Sequence, residues 1–416
     1  MSTFRRVVDI VSPPRLGREF RLQLSASWLS AISGGMVLAA GPLLVASQTS
    51  DARLISLAAL LDWLPGTVLR LYAGVLADRH DRRLMMVISG IPRVIALAIL
   101  VAMLATGNVA IWAVLLVMVT MGVGDTFYNA AATTVVPMVV AKADLGVANA
   151  RLQFGWMAIE NLIAPPVGAA LFGIARFWPF SIDLVIGALC LLIVARLRLP
   201  AHGTARHERS HLLVDLREGL RWSWRLPAVR VLNVQILTFN FAYGAVFATM
   251  VLYAHERLGL GSLGYGFLVA STAVGGVVGA LTYGWLERHV RIADIMRYGL
   301  VLEVSTYGVL AWTSHWWVAM LILGLFGIHI GYWGATASSV MQRAVPHELY
   351  GRVQSVYMTL LMGGLVVGAA IGGQLSHHWG ITAPYWFGFV CAALVLVVLW
   401  RGIGRLAHDD ELSRAG

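Results

Sequence analysis

Charged side chains are scarce in this sequence. They make up 12% of its 416 residues, whereas hydrophobic residues make up 58%, and the mean hydropathy is +0.75. A soluble domain of this size could not cover so much apolar surface with so few charges. The composition therefore excludes a water-soluble globular protein.

The residue patterns of several enzyme and pump classes are also missing. Lys142 is the only lysine and lies in no Walker A loop, which excludes an ATP-driven pump. The sequence has no GxSxG nucleophile motif, and we expect no enzyme activity, metal or cofactor. It also has no charged ring or filter typical of a channel. The two cysteines, Cys190 and Cys391, form no disulfide framework.

Apolar residues are abundant and fall in blocks of about 20, the length at which a helix crosses a bilayer. The blocks lack the alternation of barrel strands, and only helices or closed barrels satisfy the backbone in lipid. We therefore predict an all-α polytopic membrane protein with twelve transmembrane helices. The predicted spans are 22–47, 53–77, 84–106, 109–136, 148–173, 177–198, 228–253, 264–286, 295–314, 316–341, 353–376 and 383–401.

The net charge is +10, and the basic residues behind it are distributed unequally between the two sides of the predicted membrane topology. With a cytoplasmic amino terminus, 26 of the 31 lysines and arginines lie on the cytoplasmic side and three lie in outer loops. The positive-inside rule then places both termini in the cytoplasm and the chain in the cytoplasmic (inner) membrane. Residues 1–21 have no apolar core, so the first span is expected to act as the insertion signal. The basic balance fits the anionic inner leaflet, and we expect no nucleic-acid partner.

The two halves of the chain repeat each other. MGVGDTFYNAAATT at 121–134 aligns with FGIHIGYWGATASS at 326–339, an offset of 205. VGAALFG at 167–173 aligns with VGAAIGG at 367–373, an offset of 200. The repeat predicts two pseudo-symmetric six-helix bundles related by an axis along the membrane normal. We expect such a chain to work as a monomer.

The longest polar interruption separates the halves and defines the predicted domains. The amino-terminal bundle covers 1–198, a cytoplasmic linker covers 199–227 and the carboxy-terminal bundle covers 228–416. Within the linker, apolar residues recur at every fourth position, and so do three arginines. The two stripes predict an amphipathic helix on the inner membrane surface. A solvent-exposed linker is the alternative.

The densest charge cluster lies between the second and third predicted spans. Its sequence, GVLADRHDRRLMM from Gly74, closely resembles the signature G-x-L-A-D-R-x-G-R-R-x-x-[LI] of the major facilitator superfamily. Asp81 stands where that signature has glycine, as in the drug- and siderophore-exporting branch that includes the enterobactin exporter and macrolide efflux proteins. The resemblance covers essentially the whole chain and implies the major facilitator fold.

Chemistry and resemblance together predict a conformational latch at this cluster. Glycine admits a close neighbouring helix, and a carboxylate at a cytoplasmic helix end needs a cation or a neighbouring helix amino terminus. A purely topological anchor is the alternative. The predicted latch residues are Gly74, Asp78, Arg79, Arg82 and Arg83.

A second motif, IAPPVGAALFG from Ile163, resembles the fifth-helix signature G-P-x-x-G-G of antiporters in the same family. Ala164 and Ala169 replace two of its glycines. Many proton-coupled relatives carry an arginine in the fourth helix, before the segment that reads MGVGD here. That arginine is missing, so coupling through it is not expected.

Ionisable residues inside spans are costly and are therefore functional candidates. Glu160 lies near the middle of the fifth span without an obvious arginine partner, which suits it to carry a proton. For His329 the alternative is a hydrogen-bonded packing histidine, and Glu303 is expected to be structural. The predicted proton-coupling residues are Glu160, Asp125, Asp62 and His329.

Asp125 shares one helix face with Asn129 and Thr133, because the three recur at four-residue spacing. That face belongs to a helix which lines the central cavity in the resembled fold. A structural ion pair with Arg70 or Arg93 is the alternative for Asp125.

Aromatic and polar side chains near these faces are suited to a flat or amphipathic ligand. The predicted substrate contacts are Phe127, Tyr128, Asn129, Trp156, Asn161, Tyr332 and Trp333. Together with the resemblance, these residues predict a secondary transporter that exports a small amphipathic drug, siderophore or natural product in exchange for protons. The expected partners are that substrate, protons and the lipid bilayer. The alternatives are uptake or facilitated diffusion by the same fold, and a non-transporting membrane sensor.

Overall fold

The computed structural model describes residues 14–199 and 212–415. Its regular elements are helices, and these two ranges contain no strand. Short turns join them. The helices of ten or more residues are α1 Gly17–Ala46, α2 Ala52–Val68, α3 Arg70–Arg79, α4 Arg82–Thr106, α5 Ile111–Val139, α6 Leu145–Phe154, α7 Ala164–Ile174, α8 Trp178–Ala195, α9 Leu212–Arg225, α10 Pro227–Phe247, α11 Ser262–His289, α12 Ile292–Trp312, α13 Trp316–Ala344, α14 His347–Trp379 and α15 Ala383–Ala415.

Shorter or wider helical pieces connect some of these helices. The 3₁₀ turns are Pro14–Leu16 and Lys142–Asp144, and one α-helical turn covers Met250–Leu252. Two stretches are π-helical: Gly155–Ile163, which we call the π segment, and Tyr253–Arg257. The π segment joins α6 to α7, so the predicted fifth span changes its helical pitch near its middle.

Nine helices in the described ranges are long and apolar enough to cross a membrane. A tenth span results if Pro227–Phe247 and Met250–Arg257, which meet at a bend of 46°, are counted together. The all-helical membrane prediction is confirmed, whereas the count of twelve spans stays a prediction. The predicted span 53–77 is divided into α2 and α3 just after Pro65, and the charged residues of α12 lower its hydropathy.

The described residues form two compact units. Unit 1 contains 14–48, 61–199 and 262–270, and unit 2 contains 49–60, 212–261 and 271–415. Most of the predicted linker before α9 lies outside the described residues. The domain limits at 198 and 228 therefore stay predictions.

Unit 1 is built on α1, which packs along α7, α8 and the π segment, while α4 packs along α5 and α8. The contact of α1 is made by backbone. A Cβ atom at Gly35 would lie 2.2 Å from the carbonyl oxygen of Glu160, and one at Gly168 would lie 2.4 Å from that of Met36. Small residues let helix backbones approach this closely. The approach fixes the π segment against α1.

Unit 2 is built on α10, which packs along α14 and α15, while α12 packs along α15 and α13. Helix α9 lies on α14 through Gly219, and Glu218 forms an ion pair with Arg352 at 2.5 Å. Leu220 and Trp224 of α9 remain 45% and 49% exposed. The position of these two side chains on a membrane surface stays a prediction.

Helices α5 and α13 carry the strongest internal repeat. Each has 29 residues, and both of their ends differ by the same 205 positions that align their sequences. The repeat therefore extends from the residue pattern to the bounds of the helices that hold it.

Candidate proton-coupling and substrate site

Arg93 of α4 lies at the centre of a polar group in unit 1. Its Nη1 donates to Asp125 Oδ1 at 2.7 Å, and its Nη2 donates to Asp183 Oδ1 and Ser33 Oγ, each at 3.1 Å. Ser33 also donates a hydrogen bond to Asp183. Side chains of α1, α4, α5 and α8 thus meet at one cation, and we call these four residues the Arg93 group.

The two carboxylates of the Arg93 group differ in exposure. Asp183 is fully buried, whereas the side chain of Asp125 is 41% exposed. A buried charge is tolerated only when it is paired and hydrogen-bonded, so Asp183 depends on Arg93 and Ser33. Asp125 keeps access to its surroundings and remains available to a proton or ligand.

The ion-pair alternative for Asp125 is therefore realised, and its partner is Arg93 of the neighbouring helix. Arg70 is exposed and belongs to α3. Sequence reasoning placed Asp183 inside a span but did not include it among the candidates. A lone aspartate in one apolar span and a lone arginine in another were the only signals for this pair.

A small cavity of about 30 Å³ adjoins the Arg93 group. Ser30, Tyr128 and Cys190 are among its lining residues. Arg93 Nε, Asp183 Oδ2 and Tyr128 Oη are buried and have no hydrogen-bond partner within the described ranges. Since a water molecule needs roughly 10–15 Å³ of such volume and two or more polar partners, the cavity has room for about two waters.

Glu160 lies in the π segment, with its side chain against α1. A Cβ atom at Gly34 would lie 3.6 Å from the Cδ and Oε1 atoms of Glu160. The carboxylate is half-buried and forms no ion pair or side-chain hydrogen bond with any described residue. Pro165 and Pro166 in the first turn of α7 lack backbone N–H groups, so α-helical hydrogen bonds to the π segment are missing at this point of the span.

Asp62 of α2 completes the acidic surroundings of Arg93. Its side chain is exposed, and its carbonyl oxygen would lie 2.5 Å from a Cβ atom at Gly122 of α5. Both Asp62 and Glu160 are within electrostatic reach of Asp125 and Arg93. Unit 1 therefore brings three of the four predicted proton-coupling residues together.

The predicted substrate contacts of unit 1 lie on α5 and in the π segment, the two elements that carry Asp125 and Glu160. Asn129 is exposed on the same helix as Asp125, and Phe127 packs edge-on against Tyr72 at 6.3 Å. In the π segment, Trp156 is 54% exposed, and its carbonyl accepts a 2.6 Å hydrogen bond from Asn161 Nδ2. Tyr128 lines the small cavity described above. Their contact with substrate stays a prediction.

The remaining candidates lie in unit 2 and are more enclosed. His329 is 3% exposed and Trp333 is 7% exposed, and Trp333 packs in a hydrophobic core with Leu300. The Tyr332 hydroxyl lies 2.8 Å from Thr282 Oγ1. Tyr332 is partly exposed, so it is the least enclosed of the three. Within 14–199 and 212–415, no three His, Cys, Asp or Glu side chains are grouped so that they could hold a metal ion.

Two arginines of the predicted latch are held by neighbouring elements of unit 1. Arg82 Nη1 lies 2.9 Å from the sulfur of Met138, and Arg83 Nη1 donates to the carbonyl of Leu197 at 3.3 Å. Arg79 is exposed. These contacts fix α4 against the cytoplasmic ends of α5 and α8 in the predicted topology.

Asp78 and Gly74 are the two other positions of the predicted latch. The side chain of Asp78 lies outside what the structure describes. Among the described residues, no atom lies within 4 Å of the place that a Cβ atom at Gly74 would take, so the described part of the chain does not show the close helix approach that we expected. Asp81, which replaces a signature glycine, caps α4 by accepting a 3.1 Å hydrogen bond from the backbone N–H of Leu84.

The fold and site define a polytopic helical membrane protein with ionisable residues clustered within its predicted spans. Comparison with known families gives a more specific assignment. The sequence profile of the Major Facilitator Superfamily matches residues 24–365 and again 265–415, and the chain belongs to this family. The resemblance seen in the sequence is thereby confirmed.

Curated relatives of the chain are efflux proteins. The multidrug efflux pump Tap of Mycolicibacterium fortuitum is 27% identical over 94% of this chain and 97% of its own length. The enterobactin exporter EntS of Citrobacter koseri is 24% identical and covers 94% of both chains. Macrolide efflux protein A of Streptococcus pyogenes is 22% identical over 84% of this chain and 87% of its own.

Solved structures agree with the fold. A single-residue mutant of the nucleoside transporter NupG superposes with a TM-score of 0.75 at 14% identity, over 94% of this chain and all of its own. A bacterial homologue of the iron transporter ferroportin in an inward-facing state gives 0.71 at 14% identity, over 93% and 98%. The relatives and structural neighbours are membrane transporters, not enzymes.

Proposed function

We propose that this chain is a secondary active transporter that exports a small amphipathic molecule in exchange for protons. The observation that carries the proposal is the Arg93 group, in which one guanidinium serves two carboxylates while Glu160 lies nearby without a described ion-pair partner. Ionisable groups inside a membrane protein mark ion and proton pathways. The efflux relatives support the outward direction and the amphipathic class of substrate.

The geometry of the Arg93 group gives a route to coupling. A proton on Asp125 frees one carboxylate from Arg93, which still pairs with the buried Asp183. Because the cation keeps a partner in both states, Asp125 can exchange a proton without leaving a bare buried charge. If the deprotonated Asp125 or Glu160 binds a polar or cationic part of the substrate, proton and substrate compete for one site. Such competition couples their fluxes.

The proposed architecture is that of twelve transmembrane helices in two six-helix bundles, 1–198 and 228–416, with both termini in the cytoplasm. The repeat of α5 in α13 supports two equivalent halves, and the distribution of arginines supports the orientation. Transport then proceeds by alternating access around a site near the membrane midplane. Helix α9 in the linker would rest on the inner leaflet, with Leu220 and Trp224 toward lipid.

The latch belongs to this proposal. Arg82 and Arg83 are already held within unit 1, whereas Gly74 and Arg79 are open to a partner surface in another conformation. We expect Gly74→Leu to reduce transport with little change in the unfolding temperature. Measured transport that equals wild type in the folded variant would leave the cluster as a topological anchor.

The first test uses the protein in liposomes with an imposed pH gradient. Internal pH is recorded while macrolides, catecholate siderophores and lipophilic cationic dyes are added one at a time. Wild type is compared with Glu160→Gln and Asp125→Asn. Asp294→Asn is the matched control, because Asp294 lies at the start of α12 in an i,i+3 pair with Arg297.

Substrate-triggered proton flux that disappears in Glu160→Gln or Asp125→Asn, but not in Asp294→Asn, is the expected result. Unchanged flux in both site variants would shift the coupling role to Asp62 or His329. Movement of a compound down its own gradient without proton flux would indicate facilitated diffusion. Inward accumulation driven by protons would indicate uptake, and silence in every assay would favour the membrane sensor.

A further inference from the structure

A second pair of ionisable side chains lies buried in unit 2. Glu303 of α12 and His329 of α13 approach with Oε2 and Nε2 3.9 Å apart, and each side chain is 3% exposed. Gln235 of α10 donates to the same Glu303 oxygen at 3.1 Å. Three helices thus contribute one polar residue each to an enclosed point.

The surroundings of the pair are apolar. Aromatic rings of Phe239, Phe326 and Trp333 have centroids 6.1–6.3 Å from that of His329. His329 Nε2 has no hydrogen bond within the described part of the chain. In such surroundings an unpaired charge is strongly disfavoured, because little water or polar protein replaces its hydration.

Glycine at 299 creates the contact between the helices. Gly299 lies one turn before Glu303 on α12, and a Cβ atom there would be 2.4 Å from His329 Nδ1. The imidazole ring therefore lies against the α12 backbone, on the helix face that also carries Glu303. Any larger residue at 299 would displace the ring from the carboxyl group.

Charge balance then determines how many protons the pair holds. No lysine or arginine in the described ranges forms an ion pair with Glu303. The acid form of Glu303 beside neutral His329 has no net charge, and neither has the carboxylate beside an imidazolium. Each arrangement holds one proton more than the carboxylate beside neutral imidazole. Removing that proton leaves a bare carboxylate, and adding a second leaves a bare imidazolium.

Titratable groups that the described residues place around the pair include Tyr243 on α10, Tyr307 on α12, Tyr357 on α14 and Cys391 on α15. Phenol and thiol groups are neutral at physiological pH. They supply no permanent charge that could replace the shared proton. The arrangement also explains why a residue expected to be structural, Glu303, faces the one histidine predicted to be functional.

We infer that Glu303 and His329 form a one-proton binding site in unit 2. Either Glu303 Oε2 or His329 Nε2 holds the proton while the pair stays closed, and the proton leaves when water reaches it. The role of this site in transport rests on the proposed proton exchange and would add one proton to the transport cycle. The binding of the proton itself does not depend on that function.

A pH titration of the infrared spectrum tests the site with the proton as the only ligand. Wild type and Glu303→Gln are compared in liposomes without substrate. Their difference spectrum should contain either a carboxylic-acid C=O band or an imidazolium ring mode of His329 at neutral pH, and that signal should be lost as pH rises. The absence of both signals, or a signal that persists to the alkaline limit of the folded protein, would overturn the inference.

Two further variants separate proton binding from packing. Thr306→Val removes another buried polar group of α12, whose hydroxyl donates to the Leu302 carbonyl of the same helix, and should leave the titration unchanged. Gly299→Ala pushes the His329 ring away from Glu303 and should move the titration midpoint by at least tenfold in proton concentration. If Glu303→Gln does not fold, the comparison of these two variants decides: equal midpoints in both would overturn the inference.

Failure here and failure of the proposed export function are distinguishable. If Glu160→Gln and Asp125→Asn leave transport silent in every assay while the Glu303 signal still titrates, only the export proposal falls. If proton exchange works normally and the number of protons per substrate is unchanged in Glu303→Gln, the site takes no part in transport. A decrease by one proton per substrate is the expected result.

Discussion

Replacing Arg93 with methionine tests the polar group of unit 1 most directly. The variant leaves Asp183, which is fully buried, beside Ser33 without its cation. Breaking a buried ion pair by removing one partner costs about 3–5 kcal/mol of folding free energy. The contact with Asp125 adds at most about 1 kcal/mol, since that carboxylate is 41% exposed. We therefore expect a total loss of about 4 kcal/mol.

The assay is unfolding of the purified protein in detergent, followed by intrinsic fluorescence with increasing denaturant or temperature. Arg70→Met is the matched control, because it removes the same charge from an exposed position in α3. Its effect should stay within about 0.5 kcal/mol. Methionine preserves much of the aliphatic length of arginine in both variants, so the difference between them reports on the ion pairs.

A double-mutant cycle separates the buried pair from simple loss of packing. In Arg93→Met with Asp183→Asn, no unpaired charge remains at Asp183, so the double variant should recover at least about 2 kcal/mol relative to the sum of the single losses. If Arg93→Met costs no more than Arg70→Met, or if the two losses simply add, the buried pair does not stabilise unit 1. Either result would refute the reasoning.

Three further predictions concern other parts of the chain. Gly35→Ala should destabilise the protein by at least about 1 kcal/mol in the same unfolding assay, because the new methyl group meets the backbone at 2.2 Å. Gly74→Ala is the control and should not destabilise it, because the described residues leave open space there. Equal effects of the two substitutions would contradict the packing argument. Asp81→Ala should cost about 1 kcal/mol by removing the cap of α4, whereas Asp81→Asn keeps a side-chain oxygen that can accept from Leu84 N–H and should cost much less; equal losses in both variants would contradict the cap. The hydrogen bond from Arg53 holds the pKa of Asp51 at about 2, below its ordinary value of 3.8. The stabilising contribution of this carboxylate is therefore complete above about pH 4 and is lost as pH falls toward 2. The unfolding temperatures of wild type and Arg53→Gln should converge over this interval, and a constant difference would refute the assignment.

Sequence alone predicted the helical membrane class, because length and apolar character of the blocks suffice for it. It also identified Asp125 and Arg93 as possible partners, since both lie inside spans. It did not find Asp183 as the second partner. Periodicity shows which residues share one helix face, but not which faces of two helices meet. The meeting of α4 with α5 and α8 depends on packing between segments distant in the chain.

The π segment shows a similar limit. The motif IAPPVG resembled the fifth-helix signature of antiporters, and two consecutive prolines predict missing backbone hydrogen bonds. The sequence did not show that the chain responds with nine residues of wider helix around Glu160. Conversely, the departure of Asp81 from the family signature has a local cause that sequence could have supplied, because aspartate before a helix is a common cap.

The two units place ionisable groups in apolar surroundings by different chemistry. In unit 1 the cation is Arg93, which keeps its charge at any physiological pH, so only carboxyl groups such as Asp125 can take up or release protons there. In unit 2 the partner of Glu303 is His329, which can lose its charge, so the pair can stay neutral without a permanent cation. Placing histidine at position 93 and arginine at position 329 should therefore change the pH dependence of the two units in opposite ways. Arg93→His should make folding stability fall as pH rises through the histidine pKa, because Asp183 then loses its cation, whereas His329→Arg should fix Glu303 as a carboxylate and abolish its titration.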